Sequence, residues 1–97
     1  MAVKQIKLEV QNEKGETITY KSGFIPGRKV REALKVGSMA EKEDADQIEV
    51  LDTMILFVAD LFEGLTDDMI LDGIASWELM SELQRVLTEV LGGDTKA

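Results

Sequence analysis

The sequence predicts an α+β fold, mainly α, with an N-terminal β-hairpin packed on a small bundle of about four helices. Three observations predict it. Ile6, Leu8 and Val10 alternate with Lys7 and Glu9, the period-two mark of a half-buried strand. From about residue 28 the apolar period becomes helical. Glycines and capping residues such as Thr66 and Ser76 then divide the helical part into separate segments. A chain of 97 residues is too short for two independent cores, so residues 1–97 are expected to form one domain.

The hairpin is expected over residues 3–21. Asn12-Glu13-Lys14-Gly15 carries turn chemistry, and Thr17-Ile18-Thr19-Tyr20 follows as a β-branched and aromatic strand with Ile18 and Tyr20 on one face. Two strands alone are marginal, so their apolar face must rest on the helices. Ser22-Gly23-Phe24-Ile25-Pro26-Gly27 turns the chain. The helical part is expected over residues 28–93. Its first helix spans about Arg28 to Val36, with Val30, Ala33 and Leu34 on one face and Gly37 as its C-cap. Residues 38–46 are polar and acidic and read as a loop. The second helix spans about Asp44 to Glu63 and stops at Gly64. Its apolar arc joins Ile48, Leu51, Ile55, Val58 and Phe62 to Val50, Met54, Phe57 and Leu61, close to half the wheel, while Leu56 falls in the polar arc. Such a helix is either central to the fold or also part of an interface. Thr66 caps a short helix that ends at Gly73, with Leu65 and Ile70 placed for a hydrophobic staple. Ser76 caps the last helix, Trp77 to about Leu91, which Gly92-Gly93 stops. Residues 94–97 form a short polar tail.

Composition narrows the chemistry. Apolar content of 44% and charged content of 31% are those of an ordinary soluble protein. There is no cysteine, which removes disulfides and thiolate sites and fits a reducing cytoplasm. There is no histidine, so the common catalytic base and the commonest transition-metal ligand are missing. No apolar run is long enough to span a membrane, and the first residues lack the apolar stretch of a signal peptide. The formal net charge of −8 is uneven: residues 1–37 carry +4 and residues 38–97 carry −12. An acidic majority would repel a phosphate backbone, so nucleic acid is not expected as a partner.

Motif searches end the same way. Gly23 and Gly27-Arg28-Lys29-Val30 lack the spacing and the Lys-Ser/Thr pair of a phosphate loop. Asp44-x-Asp46-x-Ile48 starts like a calcium loop but fails at its third ligand. Neither Ser38 nor Ser76 sits in the Asp-Ser-Leu setting of an acyl carrier protein, and no serine has a histidine to activate it. No cofactor, no metal and no enzymatic activity are expected. The residues left for function are apolar. Met54, Phe57 and Leu61 are a candidate groove wall, Met54 and Met80 can adapt to varied partners, and Trp77 lies off the edge of its helix's apolar arc. The hairpin edge is a second candidate, blunted by Lys4 and Lys7.

The chain also resembles a known family. Phe24-Ile25-Pro26-Gly27-Arg28-Lys29-Val30-Arg31-Glu32-Ala33-Leu34 follows a lysine-rich hairpin. After an acidic spacer come Phe57-Val58-Ala59-Asp60-Leu61-Phe62 and Leu65-Thr66-Asp67-Asp68-Met69-Ile70-Leu71-Asp72-Gly73-Ile74. Over roughly residues 4–93 this layout is similar to the small tail assembly chaperones of long-tailed bacteriophages, of the type found in phages and prophages of Gram-positive bacteria. The resemblance implies a non-catalytic role in the host bacterial cytoplasm. There the protein would bind the long tape measure protein, keep it soluble and help recruit tail tube subunits. Many members are made in two lengths by a translational frameshift, and the Gly92–Ala97 terminus would suit the short form. The alternative class is an acidic adaptor or nucleic-acid-mimicking decoy that binds a basic host protein, supported by the −12 of residues 38–97. Self-association stays open as well.

Overall fold

A computed structural model describes residues 5–92. The expected first hairpin residues Val3 and Lys4, and Gly93 with the 94–97 tail, lie outside the described residues. Within them the elements are β1 (Lys7–Gln11), β2 (Thr17–Lys21), α1 (Arg28–Glu41), α2 (Gln47–Asp60), α3 (Asp67–Gly73) and α4 (Leu79–Val90). The architecture is α+β, mainly α, as the periodicities predict.

β1 and β2 are antiparallel, with Leu8 opposite Tyr20 and Val10 opposite Ile18. Ile6, Leu8 and Val10 are buried, so the alternation in β1 marks its core face. The turn is held by Asn12, whose Oδ1 accepts from the backbone N–H of Lys14 at 2.9 Å and of Glu16 at 3.0 Å. At the open end Ser22 extends the ladder by one step. Its backbone N–H donates to the Ile6 carbonyl at 2.9 Å, and its Oγ accepts from the Ile6 N–H at 2.9 Å. Ser22 is the buried polar residue among the described ones, and this pairing satisfies a backbone donor that would otherwise be stranded.

α1 is longer than its sequence suggests. The expected stop at Gly37 fails, because Gly37 does not take the left-handed conformation that a terminating glycine needs. The helix continues to Glu41, and half-buried Met39 prolongs the face begun by buried Ala33 and Val36. Packing along that face outweighs the roughly 1 kcal/mol cost of an interior glycine. Space is open where a Cβ on Gly37 would lie. Gly37→Ala is therefore expected to stabilise the protein by about 0.5–1 kcal/mol, read as a raised urea midpoint.

α2 is shorter than expected at both ends. Asp46 starts it, its Oδ1 accepting from the N–H of Ile48 at 3.0 Å and of Glu49 at 3.4 Å. The helix stops at Asp60, a turn before Gly64, whose φ of +81° redirects the chain. α3 follows the expectation: Thr66 Oγ1 accepts from the Met69 N–H at 3.2 Å, and Leu65 and Ile70 are both buried. α4 does not start at Ser76. The Ala75 carbonyl accepts from the N–H of Glu78 and of Leu79, forming a turn that delays the helix to Leu79, and no side chain caps it.

α2 is the centre of the fold. It packs against α1, α3 and α4, while β1 lies on α3. Buried residues from all these elements join one hydrophobic cluster, with Val58, Ile70, Leu83 and Val86 fully enclosed. Arg85 fastens α4 to the hairpin. Its guanidinium donates to the Lys7 carbonyl at 2.8 Å and to both carboxylate oxygens of Glu82, and it pairs with Glu89. The hydrogen bond from Glu82 leads in raising the Arg85 pKa above its ordinary value, against the opposing effect of burial.

Candidate protein-binding surface

The five residues singled out in the sequence do not form one surface. Met54, Phe57 and Leu61 are only 4, 6 and 9% exposed. The reason is the central place of α2: three helices close over its wide apolar arc, so the expected Met54–Leu61 groove wall is filled by the protein's own core. Trp77, in the turn that precedes α4, is 84% exposed, and Met80, on the first turn of α4, is exposed. Trp77 sits at the mouth of a polar cleft between β1 and the α3–α4 connection, in company with Glu9, Asp72, Glu78 and Glu82.

The apolar residues that do reach solvent are others. Leu56, the odd residue of the polar arc, is 57% exposed. It stands as a ridge between two shallow grooves. On one side, between α1 and α2, Val36, Met39 and Phe57 give an apolar lining, bordered by Glu32, Lys35 and Asp60. On the other, Ala59, Phe62 and Leu65 lie beneath Glu63 and Asp67. Phe57 thus contributes to a groove after all, as lining and not as a projecting side chain. On the far side of α1, Val30 and Leu34 are exposed one turn apart, and Ile48 is exposed on the first turn of α2. Val30, Leu34 and Ile48 are corrections, since all three had been assigned to apolar faces. Ile48 lies on the opening turn of α2, beyond the reach of the packed helices. Leu56 could have been found from the helical wheel, where it is the large apolar residue on the polar side.

Charge frames the α1–α2 groove. Lys29, half-buried, donates to Asp60 Oδ2 at 2.5 Å and lies 3.5 Å from Glu32. The Asp60 hydrogen bond is the main cause that raises the Lys29 pKa, so the Lys29 ammonium stays charged throughout the neutral range. Among the described residues no group of acidic side chains is arranged to hold a metal ion, and no helix is long and apolar enough to cross a membrane. The arrangement offers apolar ridges and grooves with acidic borders, the surface chemistry of contact with another polypeptide.

No curated protein and no solved structure matches the chain. A family model described as phage tail chaperone protein does match, over residues 1–97, and on that match the chain belongs to the phage tail chaperone family.

Proposed function

We propose that this phage tail chaperone binds and solubilises the tape measure protein and helps recruit tail tube subunits, acting without catalysis in the host bacterial cytoplasm. The observation that carries the reading is the Leu56 ridge with its two flanking grooves. A helix in groove is a common mode of polypeptide capture, and it suits a long helical client rich in apolar residues. The acidic residues along the borders, Glu32, Asp60, Glu63 and Asp67, keep the loaded surface from attracting further copies of like charge.

Co-expression with a tape measure segment tests this. The soluble fraction of the segment is expected to fall at least about tenfold with Leu56→Asp, equivalent to roughly 1.4 kcal/mol of lost binding. The far-ultraviolet circular dichroism should be unchanged, because Leu56 lies outside the core. Full capture by the folded variant would refute this use of the ridge. The acidic-adaptor reading has its own support in Trp77 and the carboxylates beside it. Binding through that cleft would weaken steeply with added salt, whereas capture on the Leu56 ridge would persist.

A further inference from the structure

We propose that the outward face of α1 docks an acidic amphipathic helix of a partner polypeptide. α1 turns Ala33 and Val36 into the core. On its solvent side Val30 and Leu34 stand one turn apart, 36 and 59% exposed. A second row runs beside them at helical spacing: Arg28, Arg31 and Lys35, all exposed. In the segment leading into the helix, Phe24 is 81% exposed as well.

The cations of this row are free, in contrast to others in the molecule. Lys29 is held by Asp60 and Glu32, and Arg85 by Glu82 and Glu89. Among the described residues no carboxylate pairs with Arg28, Arg31 or Lys35. Glu32 is engaged with Lys29 beside the α1–α2 groove, and Glu41 stands only at the far end of the helix. The placement also opposes the helix dipole. The first turn of α1 holds no acid, so Arg28 and Arg31 add positive charge to the positive end of the helix. This arrangement weakens the helix and strengthens its attraction for carboxylates.

Charge complementarity selects the occupant. An apolar row running beside a cationic row matches a helix with an apolar stripe beside an acidic one. The 14 residues of α1 offer about 21 Å of length, enough for three to four turns of a partner helix. Two copies of this chain cannot share the face about a two-fold axis without setting cation against cation. A membrane or a nucleic acid spreads its negative charge far beyond one helix, and the −12 of residues 38–97 would oppose it. A single helix, about 10 Å across, meets the α1 face alone.

The probe is a labelled synthetic helical peptide with leucines one turn apart and three glutamates in a row beside them. A twin with lysines in place of the glutamates is the control. The acidic peptide should bind the full chain with a dissociation constant on the order of 50 μM, and the lysine twin at least about tenfold more weakly. Its footprint in amide chemical shifts should fall on residues 28–38 and spare Leu56 and its flanking grooves. Leu34→Asp should weaken binding at least about fivefold with unchanged circular dichroism. The double variant Arg28→Glu with Arg31→Glu should lose the acidic peptide and gain the lysine twin. It should also melt roughly 1–5 °C higher, because acids suit a first turn. No merely structural role for the two arginines gives that combination. The proposal is overturned if the acidic peptide does not bind, if the lysine twin binds equally well, or if the footprint lies on the Leu56 ridge. Unchanged affinity in the double variant would also overturn it. So would tighter binding of phosphatidylserine vesicles or duplex DNA than of the peptide, or oligomers of the chain that the double variant abolishes. Capture on the Leu56 ridge is read by Leu56→Asp and this face by Leu34→Asp, so the two proposals stand or fall separately.

Discussion

Phe57→Asp is expected to unfold the protein. Its side chain is buried where α1 meets α2 in a wholly apolar cluster, with Lys35 only at the border of the adjoining groove. An unpaired buried charge costs at least about 4 kcal/mol. A domain of this size holds on the order of 5–10 kcal/mol in all, so most of its stability would go. Thermal unfolding followed by circular dichroism should show the folded baseline lost or shortened at room temperature. The neighbouring Leu56→Asp, one residue away on the solvent side, should leave that baseline intact. If Phe57→Asp stays folded and loses only its client, the burial described for α2 is wrong and Phe57 belongs to the binding surface.

Gly73→Ala should be nearly as damaging, for a different reason. A Cβ at residue 73 would lie 2.3 Å from Val10 Cγ1, 2.5 Å from the Gln11 carbonyl oxygen and 3.1 Å from the Gln11 nitrogen. Two of those three atoms are backbone, so no rotamer change relieves the clash. Either β1 lifts from the end of α3 or α3 shifts, at a cost of about 2–4 kcal/mol. For a domain this small the melting temperature should drop by roughly 10–20 °C. A loss below about 0.5 kcal/mol would mean that the hairpin does not seat on α3 as described. Gly37→Ala is the matching control, an added methyl with nothing to strike.

The two glycines illustrate what a sequence can and cannot convey. Both look like helix terminators. Gly73 does end α3, but its larger role is the close approach of β1, which joins residues more than sixty positions apart and leaves no local trace. Gly37 ends nothing, because Val36 and Met39 find tertiary partners on either side of it. Helix starts show the same competition. Asp44 and Asp46 are both acceptable caps by residue type, and the backbone geometry uses Asp46. Ser76 is a good cap by type, yet the Ala75 carbonyl takes the amide hydrogens first. The candidate binding surface was partly legible. Leu56 stood out as an apolar residue among polar ones, and Trp77 stood off its arc. Met54 and Leu61 misled, because a helical wheel shows that a face is apolar without showing what covers it.

Periodicity, turn chemistry and caps determined by themselves that the chain makes a hairpin followed by short helices, since these signals act between residues close along the backbone. Burial was decided only by the tertiary structure. Three helices surround α2 and take up its apolar arc, while one edge of the hairpin is covered and, among the described residues, the other is left open. Exposure depends on which distant segments arrive to displace water, and local pattern holds no record of that.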